Sequence, residues 1–472
     1  MICRRIVERK KMEGHYNKQY LEKYEPYPFL INCSPELGER IYGQIYIDEI
    51  VFLGNDEGGQ ITISASLVNE KMIHMEYEAI ENGETPLFFY EFTGETTFNC
   101  CREYVKQRLL RPFKANEFYS LRMIDIEVYN RNIDTIKKEY KREMEFIGEV
   151  IFSASPILSH KVVIIVEGLL EDKDGEIYKK LKATYDNWDS SIKRKCIFDK
   201  NEILGELNSL FDHRVVSRNV AIYNVGQANC CYCDLGYKKI FFDIGVTRSI
   251  EDINTPLISS AISEVSNLDV DAVVLSHWDL DHILGVCYNK KCMDQKTWIV
   301  PDFEKLYTVP RLSIKRLCNY LLKNGKSKLL MVDTTDNDKL LFESCNKAIS
   351  LYMGEPKSAR GINKMNNGGL ILKLQNRKNV LLPGDCENSI IPSDAIADAY
   401  NYVLISHHGS NMSDPRVYGK KNKKNKAYLS CGNVTGNCKM DSQIVKKYNT
   451  NGFPIVHNTK NLKLKNKYKI VL

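Results

Sequence analysis

Residues 273–285 read Val-Val-Leu-Ser-His-Trp-Asp-Leu-Asp-His-Ile-Leu-Gly. A short apolar run of the buried-strand type, Asp271 to Leu275, leads straight into His277, Asp279, Asp281 and His282. Four side chains able to bind a metal thus fall within six residues at the mouth of a strand. Imidazole nitrogen and carboxylate oxygen are the ligand types a hydrolytic dinuclear centre needs. Spacings of two in a loop let His277 and Asp279 face one ion while Asp281 and His282 face another. A lone His-x-Asp in a loop is ordinarily solvated or caps a helix. The pattern gains its force from two further segments. Asn379-Val-Leu-Leu-Pro-Gly-Asp385 puts a carboxylate after an apolar run and a glycine turn. Tyr402-Val-Leu-Ile-Ser-His-His-Gly-Ser410 puts His407 and His408 after another. In open α/β folds ligands gather beyond strand ends, so the three clusters are expected to converge on one crevice.

Working outward, Tyr223-Asn-Val-Gly-Gln227, Phe241-Phe-Asp-Ile-Gly245, Asn366-Asn-Gly-Gly-Leu-Ile-Leu372, Leu381-Leu-Pro-Gly-Asp-Cys-Glu387, Ser406-His-His-Gly-Ser410 and Ser430-Cys-Gly-Asn433 follow in order. In this order they resemble the metallo-β-lactamase superfamily, and within it the soluble hydrolase domain of the ComEC-type DNA-uptake proteins. That branch carries His-x-Asp-x-Asp-His where other members carry His-x-His-x-Asp-His. The resemblance covers about residues 218–472 and implies an αββα sandwich whose motif-bearing turns line one edge. Three departures stand out. The opening turn reads Ala228-Asn229 where Gly-Asp is usual, Asn437-Cys438 replace a His-Pro pair, and no His lies between His282 and Asp385. Asp243 occupies a family position that supports the ligands and is not counted among them.

Composition fits a cytoplasmic globular protein. The 472 residues are 43% hydrophobic and suggest two or three domains. No apolar run of about eighteen or more residues predicts a membrane span. The N-terminus, Met-Ile-Cys-Arg-Arg-Ile-Val-Glu-Arg-Lys-Lys, lacks the apolar centre of a signal peptide. Fifteen irregularly spaced cysteines argue for reduced thiols in place of a disulfide framework. Cys230-Cys231-x-Cys233 has no matching second pair, so buried thiols are the better reading than a metal knuckle.

The chain divides near residue 215, into an α+β accessory domain (1–215, strand-rich then helical) and the hydrolase-like domain (216–472). Arg40–Ile47 and Gln60–Leu67 alternate apolar and polar residues as half-buried strands do, with a turn at Asn55–Gly59. Glu91 to Arg108 reads as turn residues with a short helix from about Thr97. Asn130 to Met144 reads as a charged helix, Lys161 to Glu167 as a strand, Glu176 to Tyr185 and Lys200 to Phe211 as helices. No catalytic constellation is visible here, and protein binding or self-association through 1–215 is the remaining reading. Beyond Asn219, short apolar strands suit sheets covered on both faces.

The chemistry follows from the donors. Two divalent ions about 3.5–4 Å apart clamp attacking and leaving oxygens and lower the pKa of water from about 15.7 towards 7. Metal ligands are then His277, Asp279, Asp281, His282, Asp385 as the bridge, and one of His407 and His408. The working assignment gives the ion to His407 and proton transfer to His408, with a hydrogen-bonding role for the second imidazole left open. Asp281, Asp385 and His408 form the catalytic set. Three carboxylates against two dications leave a net charge of about +1, suited to a phosphate ester. Oxygen-rich ligation admits Zn²⁺, Mn²⁺ or Mg²⁺.

Net charge is +6, and Arg416 to Lys426 holds six cations. Lys420, Lys421, Lys423 and Lys424 are expected near the site mouth, binding nucleic-acid phosphates, with Asn366, Asn367 and Ser410 as further substrate contacts. Lys460 to Lys469 adds five lysines. The expected function is a metal-dependent phosphodiester hydrolase, foremost a nuclease on DNA or RNA. A small-molecule phosphodiesterase and a degenerate metal-bound scaffold remain alternatives. A β-lactamase or thioesterase is disfavoured by Asp279 and the basic loops.

Overall fold

A computed structural model describes residues 40–53, 58–83, 91–98, 118–125, 131, 150–152, 162–169, 176–211, 214–247, 250–253, 255–306, 311–356, 364–409, 413–421, 424–430, 442–458 and 466–472. The chain forms two compact units, Met1–Lys193 with Val309–Tyr320, and Arg194–Thr308 with Leu321–Leu472. Helices longer than four residues, among the described residues, are α1 (Glu70–Glu81), α2 (Glu176–Lys195), α3 (Lys200–Leu210), α4 (Pro256–Asn267), α5 (Leu312–Lys323) and α6 (Ser442–Thr450). None is long and apolar enough to cross a membrane.

The first unit contains a closed barrel. Its strands are β1 (Arg40–Leu53), β2 (Gly58–Asn69), β3 (Glu91–Phe98), β4 (Tyr119–Asp125), β5 (Val150–Phe152) and β6 (Val162–Leu169), ordered β1-β2-β3-β5-β6-β4. The period-two stretches become the β1–β2 hairpin, with Tyr46 opposite Ser64. Glu91–Phe98 is a strand, with Thr97 opposite Gln60 of β2, so the first residues of the helix expected from about Thr97 are strand and the rest of it lies outside the described residues. Phe92, Thr93, Thr96 and Thr97 favour a pleated surface over a helix, and pairing with β2 satisfies their backbone. Of the helix expected at Asn130–Met144, only Arg131 lies among the described residues.

The segment 309–320 belongs to this unit for an electrostatic reason. Arg316 of α5 forks onto Glu76 of α1, with bonds of 2.8 and 2.6 Å, both side chains buried. Lys315, also buried, pairs with Asp189 of α2 at 2.8 Å. Removing one member of such a buried pair strands a charge and costs about 3–5 kcal/mol.

The second unit carries two seven-stranded sheets. The first is ordered β12 (Lys328–Val332), β11 (Thr297–Pro301), β10 (Ala272–Val274), β9 (Lys239–Ile244), β8 (Cys230–Asp234), β7 (Asn219–Tyr223), β20 (Lys467–Val471). The second is ordered β13 (Leu340–Glu343), β14 (Ile349–Met353), β15 (Leu370–Gln375), β16 (Asn379–Leu382), β17 (Tyr402–Leu404), β18 (Lys426–Leu429), β19 (Ile455–Asn458). Alternate residues from both sheets, such as Ile222, Phe242, Val274 and Leu330 facing Leu351, Leu372, Leu382 and Leu404, form one core. The opposite face of the second sheet packs under Ile444 and Tyr448 of α6. On the first sheet's other face, Tyr223 reaches Glu264 of α4 at 2.9 Å. The result is the four-layer αββα arrangement. Strands buried on both faces explain the short, wholly apolar runs. Cys230, Cys231 and Cys233 lie inside β8 as free buried thiols, pushed up in pKa by burial.

In each sheet a run of parallel strands follows an antiparallel part. β9 to β12 are parallel in the first, β16 to β19 in the second. Parallel strands all present their C-terminal ends to one rim, which is where the histidines and aspartates lie.

Candidate metal centre

His277 follows β10 in extended backbone, and Trp278 beside it is buried in the opposite direction. Trp278 Nε1 donates to the Pro301 carbonyl at 2.8 Å and its ring meets Phe303 edge-on at 5.7 Å. That anchor turns His277 and Asp279, on either side of Trp278, towards the rim. Asp279 begins the single helical turn Leu280–Ile283, yet its carboxylate makes no cap hydrogen bond. Its Oδ2 lies 3.4 Å from His277 Nε2 instead. The turn presents Asp281 and His282.

Asp385 sits at the centre. One or other of its carboxylate oxygens is 3.3 Å from His282 Nε2, 3.7 Å from His408 Nε2, 3.9 Å from His407 Nε2 and 4.0 Å from His277 Nε2. Asp281 Oδ2 is 3.2 Å from His408 Nε2. The three sequence clusters therefore do converge. Two sets of donor atoms lie within 4.8 Å of one another: His277, His282 and Asp385, and Asp281, His282 and His408. His282 is common to both.

Hydrogen bonds set the orientation of the rings. Asp243 is the extra residue of a β-bulge, opposite the step between Cys230 and Cys231, with φ 55°. The bulge re-aims its side chain off the strand. Asp243 Oδ1 takes the Ser276 N–H (2.6 Å), while Oδ2 takes the Ser276 hydroxyl (2.8 Å) and lies 2.8 Å from His282 Nδ1. Ser276 Oγ is also 3.0 Å from His277 Nδ1. On the other sheet His408 Nδ1 lies 3.0 Å from the Ser430 carbonyl. Each Nδ1 so engaged leaves Nε2 for the pocket, the arrangement that metal-binding histidines use. Nε2 of His277 and of His282 are buried and make no hydrogen bond. Buried polar atoms of this kind are costly unless something binds them. With adjacent carboxylates, the donor set fits divalent cations.

The electrostatics agree. Burial alone would lower the His282 and His408 pKa values, but the charges of Asp385 and its neighbours outweigh it and raise both. Burial would raise Asp385, yet His282, His408 and His407 hold it well below the usual carboxylate range. The pocket thus stabilises positive charge where these rings meet. His407 differs: burial dominates and keeps its imidazole below the ordinary value.

The geometry separates the last two histidines. His408 is buried, fixed by Ser430 and grouped with Asp281 and His282, whereas the His407 side chain is 34% exposed. Both adopt left-handed backbone, φ 48° and 51°, as does Asp243, so three of six such non-glycine residues among those described lie in the centre. Strain of this kind persists where the surroundings over-determine it. Two glycines permit the close approaches. A Cβ on Gly245 would stand 1.7 Å from the Asp281 carbonyl oxygen, and one on Gly384 (φ +59°) 2.5 Å from Ser276 Cβ.

The expected substrate contacts fare differently. Asn367 is fully buried, its Oδ1 accepting the Glu387 N–H (2.9 Å) and its Nδ2 donating to Glu387 Oε1 (3.3 Å). Through these bonds it braces the Asp385 turn, and Asn366 is buried beside it. Ser410 and Lys423 lie outside the described residues. Lys420, Lys421 and Lys424 are not at the site mouth, contrary to expectation. β17 and β18 are parallel with Tyr402 opposite Lys426, so the crossover returns the chain to the strand starts before β18 begins. His407 and His408 leave the other end.

Sequence reasoning missed Ser276 and Asn229 as parts of the centre. Asn229 is buried and donates from Nδ2 to Asp385 Oδ1 at 3.3 Å, while its N–H bonds the Asp281 carbonyl at 3.1 Å. The Asn in place of the usual Asp was the available signal: a neutral donor beside Asp385 avoids one more buried negative charge.

No protein-family model matches the sequence, and no curated protein matches it. Solved structures are similar in fold. The metallo-β-lactamase fold protein YhfI from Bacillus subtilis shares 11% identity over 54% of this chain and 100% of its own, with TM-score 0.30. A diphosphatase of the PhnP family shares 10% over 54% and 97%, with TM-score 0.30. Zn²⁺-bound PqqB from Methylobacterium extorquens shares 11% over 57% and 92%, with TM-score 0.28. These likenesses concern architecture.

Proposed function

We propose that the chain is a metal-dependent phosphodiester hydrolase using two divalent ions, with polynucleotides as the leading substrate class. The carrying observation is the meeting of His277, Asp281, His282 and His408 about Asp385, with Asp279 against His277 and two buried imidazole nitrogens left for a cation. His277, Asp279 and Asp385 would hold one ion, and Asp281, His282, His408 and Asp385 the other. Bound there, Zn²⁺ or Mn²⁺ supplies Lewis acidity and a nucleophilic water at neutral pH. Asp243 and Ser276 keep His277 and His282 in one tautomer and orientation. Ser430 does the same for His408. His407, partly exposed beside Asp385, is placed to exchange a proton with a leaving oxygen. Three carboxylates in the donor set leave a modest positive charge of about +1, which favours an anionic ester over a neutral amide or lactam. The His-x-Asp-x-Asp-His order, which resembles the ComEC-type hydrolase domain, supports the same reading.

The test is purified protein and its Asp281→Ala variant, each with Zn²⁺, Mn²⁺ or Mg²⁺, against labelled DNA, RNA and a bis-aryl phosphodiester. Metal-dependent cleavage that disappears in the variant is expected. Turnover of the small diester alone would replace the nuclease reading by a small-molecule phosphodiesterase. Stoichiometric metal binding with no turnover would replace both by a binding scaffold.

A further inference from the structure

The strands that deliver ligands to one rim begin at the opposite rim, and that second rim has its own character. Arg218 just ahead of β7, Arg377 in the β15–β16 turn and Lys421 ahead of β18 are exposed and, among the described residues, make no ion pair. Lys420 and Lys426 stand beside them. Of the local acids, Asp271 is paired with Lys238 (3.1 Å), Glu343 with Lys347 (3.7 Å) and Asp398 with Lys373 (2.6 Å), while Asp234 accepts from Asn219 Nδ2 (3.0 Å) and the Gly236 N–H (2.9 Å). The turns form one strip. Asn376 Nδ2 donates to the Ser217 carbonyl (2.9 Å), Lys378 Nζ to the Val471 carbonyl (3.0 Å), and the Lys420 N–H to the Tyr400 carbonyl (2.9 Å).

A second, independent observation marks the same strip. Among the described residues the exposed large hydrophobics are Val216 (44%), Tyr237 (39%), Tyr418 (58%) and Val471 (61%), and all four lie on this rim. Arg214 lies over the Tyr237 ring at 4.6 Å, and Lys378 over Tyr402 at 5.5 Å. Cations interleaved with exposed aromatic rings are what a single-stranded nucleic acid meets: phosphates on the charges, bases on the ring faces. An acidic protein would call for a larger contiguous apolar centre than these four side chains offer.

We propose that this rim is an accessory binding strip for single-stranded nucleic acid, separate from the metal centre. Its purpose rests on the phosphodiesterase reading; its test does not. The ligand-delivering strands, of three to six residues, span about 10–20 Å, a gap a few nucleotides of a held polymer can cross to the catalytic rim.

The experiment is fluorescence anisotropy with a labelled 20-mer oligo(dT), in chelator so that nothing is cleaved, over a series of salt concentrations. The full chain is compared with the triple variant Arg218→Gln, Arg377→Gln, Lys421→Gln, and separately with Tyr418→Ala, with unchanged thermal midpoints as the check on folding. The triple variant should raise Kd at least tenfold at 0.1 M salt and flatten the log–log salt slope by about two, at about 0.7 per lost contact. Tyr418→Ala should weaken oligo(dT) several-fold more than a duplex of equal length. An unaltered slope in the triple variant, or poly-glutamate binding as tightly as oligo(dT), overturns the proposal. So does binding lost in Asp281→Ala but kept in the triple variant, which would lodge the polymer at the metal centre. Strip-dependent binding by a protein inactive on every diester would sustain the strip while the hydrolase reading falls.

Discussion

The two sheets of the second unit present one motif twice and use it differently. In the first, β9 leads to Asp243 and its parallel neighbour β10 to Ser276-His277. In the second, β16 leads to Asp385 and its parallel neighbour β17 to Ser406-His407-His408. Asp243 is consumed by Ser276 and His282. Asp385 instead meets four imidazoles at 3.3 to 4.0 Å. One half holds rings in place, and the other supplies the charge they surround. The same carboxylate–Ser–His chemistry thus yields a brace or a ligand according to whether a strand bulge turns the carboxylate inward.

The largest test of that asymmetry is Asp385→Asn against Asp243→Asn. Losing Asp385 should remove metal and cut activity by on the order of 10³-fold or more, beyond the 10–100-fold that loss of an outer hydrogen-bond partner produces. Asp243→Asn should stay within that smaller range, with the metal still binding but more weakly. Chelator competition with metal analysis separates the two. Equal losses would mean the two halves are equivalent.

A smaller effect comes from the seam where the halves touch. Gly384→Ala would place a Cβ 2.5 Å from Ser276 Cβ in a left-handed conformation. A destabilisation of about 1–3 kcal/mol is expected, seen as a lower urea midpoint with unchanged slope. A neutral result would show that the turn can move without disturbing Ser276.

Much of this was legible in the sequence because strand-end ligands sit in runs of a single physical type. His277, Asp279, Asp281, His282 and Asp385 stand out by chemistry and spacing, and wholly apolar strands announce sheets buried on both sides. What stayed hidden depended on three-dimensional direction. Which of two adjacent histidines turns inward depends on Ser430, which lies 22 residues beyond His408. The place of the lysine-rich loop depends on a parallel crossover, invisible until β17 and β18 pair. The Glu91–Phe98 strand was masked by its turn-forming residues and becomes a strand through pairing with β2. Nothing local to Leu312–Lys323 announces that this helix packs with the first unit, since its reason is Glu76, 240 residues earlier than Arg316.

The smallest effect is the most discriminating. Ser276 Oγ donates to Asp243 and lies beside both His277 Nδ1 and His282 Nδ1. Ser406 occupies the matching position in the second sheet, and its buried hydroxyl makes no hydrogen bond. Ser276→Ala should therefore cost about 1–3 kcal/mol by leaving Asp243 short of a donor, and should also weaken metal binding. Ser406→Ala should be neutral or slightly stabilising, because it removes a hydroxyl that was desolvated without return. Urea unfolding of the two variants, side by side, reads the difference. If Ser406→Ala costs as much as Ser276→Ala, the second hydroxyl has a partner of its own, and both sheets brace their histidines in the same way.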